Sequence, residues 1–325
     1  MAYREPDLHK LVMIALALVV PCYNEQEVLP ETVDRLTALL ARLVEAGQID
    51  AGSRIYLVDD GSRDGTWSLI EGYAAQRMPV VGLKLSRNRG HQNALLAGLF
   101  AARGDAIVSI DADLQDDVAV IETMLDRFRQ GCDVVYGVRR QRGADTLFKR
   151  CTASGFYRVM GWMGAQTIAN HADYRLMSRR AIEALKQFGE SNLYLRGIIP
   201  MLGYRSAIVE YDRSARFAGQ SKYPLRRMIS LALNAVTSFS VVPLRTISLL
   251  GLLVSLGTMV VSVWVLWVAL FSSRAVPGWA STVLPIYFLG GVQLLSLGVI
   301  GEYVGKLYIE AKGRPRYFVE QVVGD

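Results

Sequence analysis

Along the first 140 residues, short apolar runs alternate with longer amphipathic ones. Met13–Val20, Ile55–Val58, Val80–Leu85, Ala106–Ile110 and Val134–Tyr136 have strand length, and polar loops bound them. Between the first two, Val28, Leu29, Val33, Leu36, Leu39, Leu40, Leu43 and Val44 recur at helical spacing and stop at Gly47. Shorter helices are predicted over Thr66–Ala75, Gln92–Ala102 and Val118–Arg129. Strand and helix in regular alternation predict an α/β fold, a mostly parallel sheet covered on both faces. The early run Leu11–Val20 is too short to span a bilayer and lacks a small-residue cleavage site, so it reads as a buried strand, with a signal peptide as the alternative. From Arg139 to Tyr223 the pattern is less regular.

The C-terminal third is different. Residues 246–273 and 275–301 carry no formal charge, and about 20 apolar residues suffice to cross a bilayer. Two membrane-spanning helices are therefore predicted over Thr246–Phe271 and Thr282–Gly301, two buried core helices being the alternative. Before them, Leu225, Met228, Ile229, Leu231, Leu233, Val236 and Phe239 form an apolar band within Pro224–Val242, with Arg226 and Arg227 near its start. Such a segment suits the membrane interface, or else the surface of the globular part. The organisation expected is a globular domain over 1–223, an amphipathic segment over 224–245, a helical hairpin over 246–301 and a tail over 302–325.

Charge orients this arrangement. No acidic residue occurs between Asp212 and Glu302, whereas Arg213, Arg216, Lys222, Arg226, Arg227 and Arg245 precede the first span and Lys306, Lys312, Arg314 and Arg316 follow the second. The loop between the spans has only Arg274, so both termini and the large domain are expected on the cytosolic face of the cytoplasmic membrane. The net charge of +6 then belongs to a membrane surface rather than to nucleic acid. Cys22, Cys132 and Cys151 have neither disulfide nor zinc spacing, and His9, His91 and His171 are scattered.

Polar residues gather after the predicted strands: Pro21–Glu25, Asp59–Ser62, Ser86–Gly90, and the run Asp111-Ala112-Asp113-Leu114-Gln115-Asp116-Asp117. Ligands of a parallel sheet collect at those carboxyl ends. Asp111 and Asp113, one residue apart, point to one side and can converge on a cation, although a solvated turn has the same composition. No G-x-G-x-x-G or Walker sequence occurs, which leaves dinucleotide redox and P-loop chemistry without support.

Pro21-Cys22-Tyr23-Asn24-Glu25, Val58-Asp59-Asp60-Gly61-Ser62, Asp111-Ala112-Asp113-Leu114-Gln115 and Asp173-Tyr174-Arg175-Leu176 occur in the order seen in family-two glycosyltransferases of the GT-A fold. More narrowly, the chain resembles polyprenyl-phosphate glycosyltransferases: dolichol-phosphate mannose synthases, bactoprenol glucosyltransferases and the undecaprenyl-phosphate aminoarabinose transferase. Arg216-Phe217-Ala218-Gly219-Gln220-Ser221-Lys222-Tyr223, then Thr237-Ser238-Phe239-Ser240 and two spans, is most similar to the bactoprenol branch. The resemblance implies a Rossmann-like catalytic domain and inverting transfer of a sugar to undecaprenyl phosphate. UDP-glucose is the first donor expected, with GDP-mannose, UDP-aminoarabinose, UDP-N-acetylglucosamine and UDP-galactose open.

It also implies roles. Pro21, Tyr23, Glu25, Asp59, Asp60, Asp111, Ala112, Arg216 and Lys222 would bind the donor. Asp111, Asp113 and Gln115 would hold Mg²⁺ or Mn²⁺, and Arg139, Arg150 and Ser154 the acceptor phosphate. Asp113, Asp173 and Arg175 would be catalytic. Because a phosphomonoester with a second pKa of about 6 is largely ionised at pH 7, Asp173 is expected to orient Arg175 or the acceptor rather than to remove a proton. Homo-oligomerisation, as a tetramer, is expected by analogy. A processive synthase would carry Q-x-x-R-W, which is absent here. A membrane scaffold that kept the fold is the rival of another class.

Overall fold

The computed structural model describes residues 13–76, 78–140, 171–190, 195–212, 242–271 and 279–325. In chain order the elements are β1 (Leu16–Cys22), α1 (Leu29–Glu45), β2 (Arg54–Asp59), α2 (Thr66–Ala75), β3 (Val80–Leu85), α3 (His91–Ala101), β4 (Ala106–Ser109), α4 (Val120–Arg129) and β5 (Val134–Arg139). Then follow β6 (His171–Ser178), α5 (Arg179–Lys186), α6 (Leu195–Met201), β7 (Ser206–Tyr211), α7 (Val242–Phe271), α8 (Trp279–Ala311) and β8 (Val319–Val323). All the strands and helices expected before residue 140 are present, within a few residues of their expected ends. The largest difference is at β1, which begins at Leu16 because Ile14 makes only an isolated bridge to Ile49 before the ladder starts.

The strands form one eight-stranded sheet in the order β7-β5-β6-β4-β1-β2-β3-β8. β1 pairs in parallel with β2 and with β4, and β2 with β3. β6 runs antiparallel between β4 and β5, and β8 antiparallel along β3. The chain thus steps outward from β1 to β3 and then crosses to the other side of β1, so the carboxyl ends of β1 and β4 flank a topological switch point.

Strand alternation distributes the core over both faces. Leu16, Leu18 and Val20 of β1 meet Leu29, Val33, Leu36, Leu40 and Leu43 of α1. On the other face Val19 and Val58 lie under Gly98 of α3, where an added Cβ would come within 2.4 Å of Val19 Cγ1. That glycine lets helix and sheet approach closely.

Two features extend the expected organisation. α8 runs to Ala311, past the predicted end at Gly301, and β8 makes the C-terminal segment part of the sheet instead of a free tail. The sheet with its helices, β8 included, forms one compact unit, whereas α7 and α8 belong to a second. On the second unit Leu252, Val260, Val263, Trp264, Trp267, Leu294 and Leu297 are exposed. Among the described residues, Phe288–Ala311 is a helical stretch long and apolar enough to cross a membrane by length and composition. The expected amphipathic segment Pro224–Val242 lies, but for its last residue, outside the described residues.

Candidate active site

β1, β2 and β4 end side by side, and the loops that follow β1 and β2 are knitted together by their own polar side chains. Asn24 N–H donates to Ser62 Oγ at 2.9 Å, Arg63 N–H donates to Asn24 Oδ1 at 2.8 Å, and Glu25 N–H donates to Thr66 Oγ1 at 2.9 Å. Pro21 continues the β1 ladder opposite Val58, and Tyr23 is exposed on the rim. Asp59 is fully buried; its carboxylate accepts the Ser62 N–H and closes the turn, while burial pushes its pKa up. Asp60 accepts the backbone N–H groups of Arg89 (2.7 Å) and Gly90 (2.9 Å), which ties the loop after β2 to the loop after β3. Gly61 makes that approach possible: at φ 68°, a Cβ there would fall 2.7 Å from the backbone of Arg87 and Asn88.

The acid loop after β4 is strained. Leu114 has φ 56°, and Asn24 in the β1 loop is the other non-glycine residue at positive φ among the described residues. Such a conformation costs about 1–2 kcal/mol for an L-residue and persists only where its surroundings over-determine it. Here Leu114 is buried, Gln115 N–H turns back onto Asp113 Oδ1 at 3.3 Å, and the Ala112 carbonyl accepts the Thr32 hydroxyl at 2.8 Å. The Gln115 side chain is buried with Oε1 unpartnered. An orphaned amide oxygen in the same loop as the Asp111 and Asp113 carboxylates offers all-oxygen donors of the kind that suit a hard divalent ion. Among the described residues no group of three or more His, Cys, Asp or Glu is preassembled to hold one.

β6 brings the second half of the constellation. Its position between β4 and β5 sets Arg175 opposite both Ser109 and Tyr136, and alternation puts Asp173 and Arg175 on one face and Tyr174 in the core. Arg175, 1% exposed, donates to Asp173 Oδ1; Arg196 from α6 donates to Asp173 Oδ2 at 3.2 Å. His91, first residue of α3, places Nε2 3.5 Å from Asp111 Oδ1 and 3.6 Å from Asp173 Oδ2, and so joins the two halves.

Charge follows from this crowding. Burial, and then the neighbouring carboxylates of Asp173, Asp116 and Asp113, push the pKa of Asp111 to about 6 against the pull of His91. Burial opposes protonation of His91, but its hydrogen bond to Asp173 and the charge of Asp111 raise its pKa above the ordinary value. Burial would also raise Asp173; His91, Arg175 and Arg196 outweigh it and hold the carboxyl well below the usual range. Asp173 is an anchored anion and a poor proton acceptor. Of the two partners expected for Asp173, Arg175 or the acceptor, the first is in contact with it.

Arg139, expected at the acceptor phosphate, is engaged by protein groups. It donates to Asp116 Oδ1 at 3.0 Å and to the Tyr211 hydroxyl at 3.2 Å, and Tyr211 donates to the same carboxylate. The cation is already matched by a buried anion, so it braces the acid loop against the ends of β5 and β7. Arg150, Ser154, Arg216 and Lys222 lie outside the described residues. His91, Arg196 and Tyr211 were given no site role from the sequence, and Asp116 was named only as a member of the acid run. His91 directly follows the Ser86–Gly90 rim loop, which was a usable signal, whereas Arg196 and Tyr211 come from the irregular stretch and carry none.

A family model described as glycosyl transferase family 2 matches residues 17–186. The glycosyltransferase YkoT of Bacillus subtilis (strain 168) is 49% identical over 307 residues, covering 94% of this chain and 91% of that protein. A prophage bactoprenol glucosyl transferase homolog of Escherichia coli (strain K12) is 39% identical over 311 residues, covering 94% and 99%. The bactoprenol glucosyl transferase of Shigella phage SfII is 39% identical over 310 residues, covering 94% and 97%.

Proposed function

The chain belongs to glycosyl transferase family 2, and on that premise we propose that it transfers a sugar from a nucleoside-diphosphate donor, UDP-glucose first among them, to a polyprenyl phosphate at the cytosolic membrane face. One observation carries the reading: the acid loop, with the unpartnered Gln115 oxygen, stands at the β4 end in a chain 39% identical to bactoprenol glucosyl transferases over 94% of its length. Asp111, Asp113 and Gln115 would hold Mg²⁺ or Mn²⁺, which when bound neutralises the charge growing on the departing diphosphate. Pro21, Tyr23, Glu25, Asp59, Asp60 and Ala112 shape the nucleotide side of the rim, and Arg216 and Lys222 supply cations toward the donor diphosphate.

No general base is needed. The acceptor phosphate is largely ionised at pH 7, its second pKa being about 6. One of its oxygens attacks the anomeric carbon in line, the bond from that carbon to the diphosphate oxygen breaks, and configuration inverts. Asp173 holds Arg175 and Arg196 in place, so their positive charge faces the reacting phosphates in a site where charge is poorly screened. Arg150 and Ser154 are the residues proposed for the acceptor phosphate.

The path of the chain supports a membrane hairpin. The segment between β7 and β8 leaves one sheet and returns to that same sheet. Both its ends therefore lie on one side of any membrane it crosses, which requires an even number of crossings. α7, uncharged beyond Arg245, and α8 are the two helices proposed for those crossings.

Purified protein given radiolabelled UDP-glucose, undecaprenyl phosphate and Mg²⁺ should yield a labelled lipid and UDP. A panel of the other nucleotide sugars assigns the donor if glucose is not transferred. No labelled lipid from any member of that panel overturns the reading.

A further inference from the structure

The C-terminal segment was expected to be a tail, yet it is built into the rim of the site. β8 pairs along β3 from Gly82–Val323 to Leu85–Val319, with an irregularity between Lys84 and Leu85. Polar contacts hold it along its length: Lys84 to Glu320 at 3.5 Å, Gln321 to Glu71 at 3.2 Å, Arg103 to Asp325 at 3.1 Å. Arg316 donates to the Phe188 carbonyl, so only residues 312–315 separate the end of α8 from the first of these attachments.

Just before the strand begins, the chain reaches the loop after β3. The Phe318 carbonyl accepts the Ser86 N–H at 3.0 Å, and the Phe318 ring lies 5.9 Å from the Arg89 guanidinium carbon. The Arg89 and Gly90 amides are the two that clamp Asp60, and the next residue is His91, which bridges Asp111 and Asp173. A continuous series of contacts thus runs from the segment leaving α8, through Phe318 and the Ser86–Gly90 loop, to the acid loop. Phe318 is 54% exposed and contributes little to the core, so its place in the fold is at this loop.

We propose that residues 316–323 are a strap that positions the nucleotide-side rim, and that Phe318 is its positioning residue. The ring covers the guanidinium face of Arg89 and fixes the turn whose amides hold Asp60; without it the loop opens locally while the sheet stays intact. The consequence for donor binding rests on the glycosyltransferase reading above.

The test uses the full-length protein in detergent with Phe318→Ala, Phe318→Leu, Phe318→Tyr and, as a control farther along the strand, Val322→Ala. Two quantities are measured: hydrogen exchange of the peptide covering Ser86–His91, and calorimetric affinity for UDP with Mg²⁺. Phe318→Ala should speed exchange at Arg89 and Gly90 about twofold to fivefold and weaken UDP binding by up to the same factor, the range one exposed aromatic–guanidinium contact supports. Phe318→Leu should behave like Phe318→Ala, whereas Phe318→Tyr keeps the aromatic face and should restore both. Val322→Ala should leave both unchanged. Unaltered exchange in Phe318→Ala, or an equal effect of Val322→Ala, overturns the strap. If the unsubstituted protein binds no UDP, the donor reading fails, and the exchange measurement still decides the strap.

Discussion

Replacing Asp173 by asparagine removes the negative charge from a pair in which Arg175 is 1% exposed and Asp173 9%. At that depth the attraction is worth about 4 kcal/mol at an effective dielectric constant near 20, and breaking one side of a buried pair costs about 3–5 kcal/mol because the remaining charge is stranded. Arg196, with a side chain 40% exposed, adds little on the scale of stability. Arg175 has no fallback, since its Nε and Nη1 are already buried without partners. Asp173→Asn should therefore lose about 3 kcal/mol, a large share of the about 5–15 kcal/mol typical of a domain. Adding Arg175→Met should recover most of the loss by removing the stranded guanidinium. Pulse proteolysis of the detergent-solubilised chain in a urea series at pH 7 reads both. A cost below about 1 kcal/mol, or a double variant as unstable as the sum of the singles, refutes the buried-pair account. The sign in pH is definite. A depressed carboxyl pKa contributes stability that is fully present above the unfolded value near 3.9, and loses it as pH falls through the lower folded value. The part of the Asp173→Asn cost that comes from the Arg175 pair should thus be constant from pH 7 to 5, while loss of the hydrogen bond that raises the His91 pKa adds to the cost as pH falls and His91 becomes charged. Activity should fall on the order of a hundredfold through displaced cations and stay low at high pH; recovery there would make Asp173 a base.

Further outcomes follow from individual contacts. With Asp111 at about 6, divalent-ion binding must displace a proton below that pH. Mn²⁺ affinity by calorimetry should drop up to about tenfold per pH unit below 6, and equal affinity at pH 5 and 7 would contradict the assignment. Gln115→Met removes an orphaned buried oxygen, so the metal-free protein should be as stable or about 1 kcal/mol more stable, while Mn²⁺ affinity falls; unchanged affinity argues against Gln115 as a ligand. Gly98→Ala drives a methyl into Val19 and Val58 and should cost about 1–3 kcal/mol by the same proteolysis assay. Arg139→Ala should destabilise by about 2–3 kcal/mol by stranding Asp116, a loss that a residue reserved for substrate phosphate would not show.

Local periodicity was enough to read β1 to β5 and α1 to α4, because each element buries one face and its sequence records which. The same logic put Pro21–Glu25, Asp59–Ser62, Ser86–Gly90 and Asp111–Gln115 on one rim, since parallel strands all end there. Composition alone marked α7 and α8 as apolar. What periodicity cannot carry is pairing between distant segments. β6 was hidden in an irregular stretch, and only its insertion between β4 and β5 brings Asp173 and Arg175 to the acid loop. Arg139 was read from the sequence only as a cation for the acceptor phosphate, and Asp116 and Tyr211 reach it from other segments. His91, one scattered histidine in the sequence, became the bridge between Asp111 and Asp173. β8, a five-residue strand with seven residues between it and a long apolar helix, joined the edge of β3. The chain's own order of residues thus determined the layers, the rim and the kind of chemistry it holds. Tertiary structure decided which charges meet, because a charge's role depends on the neighbours that desolvate or neutralise it, and those come from far along the chain.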